Sequence, residues 1–304
     1  MSKNILIIGG SYFIGKVSAL ILFKNKEFNL HLLNRGTHPL RVDGISELIC
    51  DRHDLSGLQT AVPDLEYDAV VDFCALESSD VEILLDNIRG TVKQYIHISS
   101  CTVYQPSLDY PKHEASPLLT EKPYGPAGEY AFNKRNLEAE TAAVCSRLGI
   151  PFTIFRPAFV YGPYNYAPRE SFFFKLILSG STIPVPDSSL ALFQFVYVKD
   201  IARFIEASFD NENCRNQIYN LSAPELISYG KLIEVLEEIS ERKIITQPYS
   251  IETIDAQNIP LPFPIDQHEL FSGQKATDAF DIQYTKISQG MQESFDFYKK
   301  YVYR

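Results

Sequence analysis

Through the first half of the chain, short apolar runs rich in branched residues alternate with amphipathic stretches, and few folds accept that alternation. Strand, helix and strand laid in one direction form a βαβ unit, and repeating it builds a parallel sheet covered by helices. The pattern predicts strands at Ile5–Ile8, Leu30–Leu33, Glu47–Cys50, Ala69–Phe73, Gln94–Ile98 and Phe152–Arg156. Several are apolar nearly throughout, as strands sheltered on both faces should be. Helices are predicted over Gly15–Lys24, Asp80–Arg89 and Gly128–Arg147. The fold class is therefore α/β, a doubly wound parallel sheet.

The texture changes beyond Gly162. Gly162 to Pro168 is a loop by its turn residues. A helix is predicted near Phe172–Leu178, then a segment broken by prolines from Ile183 to Asp187, a strand at Phe193–Val198 and a helix from Asp200. Two more helices are expected at Tyr229–Ile239 and Ile287–Tyr298, with the proline-rich Ile259–Pro264 irregular between them.

Charge and cysteine content narrow the class. Among 304 residues, 28 basic side chains face 38 acidic ones, a formal net charge of -10, and no basic stripe is present. Polyanion binders carry the opposite sign, so nucleic acid is not an expected partner. The five cysteines (Cys50, Cys74, Cys101, Cys145 and Cys214) are odd in number and scattered, which suits a reduced interior. The apolar run Ile5–Ile8 is too short for a signal peptide or a membrane span, so a soluble cytoplasmic protein is expected. The six histidines show no metal-ligand spacing, and His53 between Asp51 and Asp54 reads as part of a polar loop.

Gly9-Gly10-Ser11-Tyr12-Phe13-Ile14-Gly15 follows the first strand and opens a helix. In that setting backbone N–H groups and the positive helix end face a pyrophosphate, as in dinucleotide-binding loops. The second strand ends in Asn34-Arg35-Gly36, where an acid would select NAD by binding the ribose 2′-hydroxyl. Arg35 suits a 2′-phosphate instead, so the expected cofactor is NADP or NAD, with NADP favoured.

Tyr130-Ala131-Phe132-Asn133-Lys134 places a phenol and an ammonium four residues apart on one helix face. A free tyrosine, with pKa near ~10, is a poor base at neutral pH, and a nearby cation favours its phenolate. Upstream, the strand ending Ile96-His97-Ile98 runs into Ser99-Ser100-Cys101-Thr102-Val103-Tyr104. Downstream come Phe155-Arg156-Pro157-Ala158-Phe159-Val160-Tyr161-Gly162-Pro163, Phe195-Val196-Tyr197-Val198-Lys199-Asp200-Ile201-Ala202 and Tyr219-Asn220-Leu221-Ser222.

This ordered set resembles the extended short-chain dehydrogenases/reductases of the NAD-dependent epimerase/dehydratase family, in an atypical form, over about residues 4 to 230. The resemblance implies a Rossmann domain over 1–161 and a substrate-binding cap over 162–304, with about 190–222 returning to the Rossmann domain. It implies Tyr130 as acid/base, Ser100 as the hydroxyl polarising the reacting oxygen, and Lys134 as the residue lowering the Tyr130 pKa and holding the nicotinamide ribose. Cofactor contacts are implied for Gly9, Ser11, Tyr12, Phe13, Ile14, Gly15, Asn34, Arg35, Asp51, Arg52, Phe73, Cys74, Ala75 and Pro157.

Several positions depart from the family's pattern. Tyr12 occupies the middle-glycine position of the loop, so its ring must turn aside or itself touch the phosphates. Phe159 and Phe193 stand where an Asn and an Arg contact nucleotide-sugar substrates, leaving Arg169 or Arg203 as substitutes. Cys101 and Thr102 replace the acid beside the serine of sugar dehydratases, which disfavours dehydration. The expected function is NAD(P)-dependent oxidoreductase or epimerase chemistry on a sugar-like or nucleotide-sugar carbonyl or hydroxyl. The alternative is a non-catalytic NAD(P)-binding regulator or RNA-associated protein on the same fold. A small-molecule substrate is the expected partner, no membrane is, and a homodimer is left open.

Overall fold

The computed structural model describes residues 2–188 and 190–303. Its centre is a sheet of seven strands: β1 (Lys3–Ile8), β2 (Phe28–Asn34), β3 (Ser46–Ile49), β4 (Ala69–Asp72), β5 (Tyr95–Ile98), β6 (Phe152–Pro157) and β7 (Gln217–Leu221). The order across the sheet is β3-β2-β1-β4-β5-β6-β7 and every pairing is parallel. Strand β1 shows why the sheet needs cover on both faces. Ile5 and Ile7 belong to one apolar cluster with Val17 and Leu22, while Leu6 and Ile8 belong to another with Leu84 and Leu137. Alternating side chains thus feed two cores, the arrangement an unbroken apolar run encodes.

The order reverses between β1 and β4. Successive connections leave those two strands toward opposite faces, so a crevice opens at their carboxyl ends. The loops after β1, β4, β5 and β6 all reach that edge.

Residues beyond Gly162 do three things. β7 pairs with β6 and completes the sheet, and the helix Val198–Ser208 packs against the helix Phe13–Leu22. The short strands Phe159–Tyr161 and Phe195–Tyr197 pair in parallel beside the main sheet. The helix Ile287–Tyr301 then packs on the helices Tyr229–Ser240 and Glu170–Ser179. At the centre of this half Phe263 stacks on Phe193 at 5.0 Å and meets Phe195 edge-on at 4.9 Å. Much of the chain's aromatic content is therefore core.

Some elements escape the sequence pattern. The segment expected to break at its prolines is instead a strand, Ile183–Pro186, paired in parallel with Thr246–Tyr249. Ile183 N donates to Ile245 O and Asp187 N to Tyr249 O, both at 2.9 Å. Alternate residues supply the bonding N–H groups, and Pro184 and Pro186 fall between them, where no donor is needed. The helices Leu55–Ala61, Ile251–Gln257 and Gln274–Phe280 span seven residues each, too few to declare a periodicity. Two carry legible caps: Asp54 accepts from Gly57 N and Ser250 from Thr253 N. Among the described residues no helix is long and apolar enough to cross a membrane.

Candidate active site

Two clefts meet at the carboxyl edge of the sheet. The first, about 490 Å³, runs from the β1 loop past the ends of β2 and β3 and is lined by Gly9, Ser11, Tyr12, Asn34, Arg35 and Asp51, with Arg52 and Cys74 below. The second, about 340 Å³, is lined by Phe13, Ile14, Ser100, Tyr130 and Pro157, with Arg169 opposite. Thirteen of those fourteen residues were anticipated from the sequence as site groups, and Arg169 as a substitute substrate contact; Cys74, just beyond β4, and Pro157, at the end of β6, reach the same edge. Gly15, Phe73, Ala75 and Lys134 line neither cleft.

The first cleft fits a dinucleotide's phosphates on three counts. Gly9 sits at φ 83°, where a Cβ would meet Cys74 at 3.0 Å, and a Cβ on Gly15 would lie 2.4 Å from Gly9 O. Only glycines permit so close a turn between strand and helix. The helix Phe13–Leu22 begins with no side-chain cap and no acid in its first turn, so its leading N–H groups stay free for an anion. Tyr12 resolves its own ambiguity. Its ring turns aside, stacking on Tyr166 at 4.6 Å and His38 at 5.3 Å, and bridges the mouths of the two clefts.

The cleft floor is a buried ion network. Arg52 meets Asp72 through both carboxylate oxygens, at 3.2 and 2.8 Å, and donates to Asp80 O at 2.7 Å. Burial would raise the Asp72 carboxyl, but the guanidinium and two backbone N–H donors hold it at about 2. Arg52 therefore shapes the floor rather than offering a free charge. His53 is not a loose loop group either, since its Nε2 lies 2.8 Å from Asp80 Oδ1. Asn34 accepts from Gly36 N and donates to Glu47, fixing the turn that presents Arg35 to solvent.

In the second cleft Ser100 ends the β5 segment, its Oγ accepting from Thr102 N at 3.2 Å and from Thr102 Oγ1 at 3.0 Å. Its hydroxyl and the Tyr130 phenol line this cleft together. Burial pushes the Tyr130 pKa up, while Ser100 and the positive field of Arg169 oppose that rise. Lys134 is held by two backbone carbonyls. Nζ donates to Ala75 O and Ile98 O, both at 2.8 Å, and the side chain is 2% exposed. Desolvation lowers its pKa to about 8. The ammonium ties the ends of β4 and β5 together, and Arg169, which sequence spacing did not couple to Tyr130, is the cation that acts on the phenol.

A buried network sets the position of the helix Gly125–Leu148 that carries Tyr130. Arg156 on β6 grips Glu138 of that helix through two bonds, at 2.8 and 2.6 Å, and donates to Tyr104 Oη at 2.8 Å. Tyr104 in turn donates to Asn220 Oδ1 on β7 at 2.6 Å. The Arg, Tyr and Asn of three separate sequence landmarks thus make one cluster. Asp200, a fourth landmark, is buried and accepts from Thr285 N and Oγ1 at 2.8 and 2.7 Å, anchoring the C-terminal part.

The substrate end is also altered. Phe193 is fully buried and cannot meet a ligand, and Arg203 is bonded to Asp200 and Gln283 O. Arg169 alone of the two arginines lines the second cleft, 5.6 Å from the Phe159 ring. Glu269, far away in sequence, lines the same cleft.

Comparison with known proteins agrees with this architecture. The chloroplast stem-loop binding protein of 41 kDa b of Arabidopsis thaliana is 30% identical over 292 residues, 90% of this chain and 73% of the relative. The dTDP-D-glucose 4,6-dehydratase of Mus musculus is 24% identical over 270 residues, 78% of this chain and 73% of the relative. Among solved structures, the UDP-glucose 4-epimerase of Thermotoga maritima with UDP-glucose aligns at TM-score 0.78 and 17% identity, covering 99% of this chain and 100% of that one. The UDP-glucuronic acid 4-epimerase of Bacillus cereus with UDP-glucuronic acid and NAD aligns at TM-score 0.76 and 19% identity, covering 98% and 99%. At such identities the structural likeness speaks for the fold. A model of the NAD dependent epimerase/dehydratase family matches residues 5–222, the sheet and both clefts' main walls, and the chain belongs to that family.

Proposed function

We propose that the protein is an NAD(P)-dependent oxidoreductase or epimerase acting on a hydroxyl or carbonyl of a sugar-like substrate. The observation carrying this reading is the placement of Ser100 and Tyr130 in one cleft, which the Tyr12–Tyr166 stack links to the glycine-lined cleft. The nicotinamide, when bound, supplies hydride acceptance and return.

The chain's own groups supply the rest. Tyr130 takes the proton from the substrate hydroxyl as the carbon is oxidised and gives it back on reduction. Ser100 donates to the same oxygen, stabilising the charge that gathers there. Arg169 favours the phenolate needed for the first of these steps. Lys134 keeps one N–H beyond its two carbonyl bonds, available to a ribose hydroxyl beside Ala75. Gly9, Gly15 and the open helix start hold the pyrophosphate, and Arg35 with Asn34 faces the adenosine ribose. Asp51 and Cys74 close the adenosine side, and Pro157 borders the nicotinamide.

Tyr130→Phe removes the proton carrier while keeping the ring. Turnover is expected to fall by at least about 100-fold, with the nucleotide dissociation constant unchanged within about 2-fold. Wild-type turnover in this variant would remove Tyr130 from the chemistry.

A further inference from the structure

Beside the catalytic cleft lies a chamber of about 460 Å³ between the loop after β5 and the segment 267–271. The two spaces share Cys101, Thr102, Glu269 and Phe271, so a ligand reacting at Ser100 can extend from one into the other. Its volume is that of a small-molecule subsite. Tyr104 and Phe271, stacked at 5.9 Å, form an apolar wall.

The chamber's polar feature is Lys112, 4% exposed. Its backbone is pinned, with N donating to Leu270 O and O accepting from Ser272 N, both at 2.9 Å. The ammonium bonds the Ser107 hydroxyl and carbonyl and lies 5.2 Å from the Tyr110 ring, and none of these partners is an acid. A buried cation without a counter-ion is costly. The acid nearest at hand on the chamber wall, Glu269, is coupled to Arg169 on the catalytic side, and burial raises its pKa. Glu269 lines the junction of the two spaces, and among the described residues the Lys112 ammonium bonds Ser107 and forms no ion pair with an acid.

We propose that this chamber binds an acidic substituent of the substrate, a carboxylate or a phosphate, with Lys112 as its counter-ion. The proposal rests on the reading that Ser100 and Tyr130 mark the reacting carbon, and its test does not require turnover.

Binding to the full chain is measured by calorimetry with three probes: methyl β-D-glucuronide, methyl glucoside 6-phosphate and the neutral methyl β-D-glucoside. The wild type is expected to bind at least one acidic probe about 10-fold more tightly than the neutral one, the value of one charge-assisted contact. The tighter of the two names the substituent. Lys112→Met should bring acidic and neutral probes to parity without weakening the neutral one. Gln267→Glu, at the exposed chamber rim, should weaken only the acidic probes and serves if the buried substitution unfolds the chain. Equal binding of all three by the wild type overturns the proposal. So does an acid preference that survives in both variants and vanishes in Arg169→Met, which would seat the anion in the catalytic cleft. If Tyr130→Phe keeps its turnover while the acid preference follows Lys112, the catalytic reading fails and the chamber assignment stands.

Discussion

Arg35 and His38 stand at the exposed rim of the cleft lined by the β1 loop, and β2 runs out into Asn34-Arg35-Gly36 without an acid. Glu47, the acid nearest this turn, accepts from Leu40 N, Arg41 N and Asn34 Nδ2. NADPH is therefore expected to bind several-fold more tightly than NADH, and Arg35→Ala should erase the difference, about 1 kcal/mol for one exposed guanidinium–phosphate contact. Fluorescence titration with both nucleotides checks it, and an NADH preference in the wild type would remove Arg35 from cofactor selection. Arg169 makes a second prediction at this scale. Burial holds the Tyr130 phenol above its ordinary range, so the proton-accepting direction should speed up as pH rises. Arg169 favours the phenolate, so Arg169→Met should move that limb to higher pH. An unmoved or lowered limb in the pH–rate profile would contradict the electrostatic role. Neither Arg169 nor Glu269 was tied to Tyr130 by sequence spacing, because tertiary folding alone brings them to the cleft. Ser100 and Tyr130 were legible because each sits on a local signal, a strand end and a helix face. Four-residue spacing also put Lys134 on the tyrosine's face, but the two carbonyls that take two of its three protons, Ala75 O and Ile98 O, were not legible because tertiary folding brings them there.

Among elements, the helix Gly125–Leu148 is the positioning device, and the Glu138–Arg156 pair is its anchor. Both side chains are nearly fully buried. Removing one partner of such a pair strands a buried charge, so Glu138→Ala is expected to cost roughly 3–5 kcal/mol of stability. Denaturant unfolding measures this, and a loss below about 1 kcal/mol would show that Arg156 finds other acceptors. The alternation of apolar runs revealed all seven main-sheet elements' region except β7, which announced itself only as a sequence landmark. The strand Ile183–Pro186 was hidden because its prolines fall at non-bonding positions, a register that only the partner Thr246–Tyr249 defines. Helices of two turns were hidden for lack of length.

The whole molecule joins a glycine-lined cleft at the carboxyl edge of the sheet to a second cleft walled in part by Phe13, Phe159 and Phe271. Its net charge of -10 opposes a phosphate-backbone partner. The proposed chemistry rests on the meeting of two clefts near Ser100 and Tyr130, and a hydride experiment addresses that junction directly. Full-length protein loaded with oxidised nicotinamide nucleotide would be mixed with UDP-glucose, UDP-glucuronic acid and dTDP-glucose under single-turnover conditions, and reduced-nicotinamide fluorescence followed. The account predicts a fluorescence rise with at least one of these sugars in the wild type, slowed by at least about 100-fold in Tyr130→Phe. A rise of equal rate and amplitude in the two proteins, or no rise with any sugar, would contradict it.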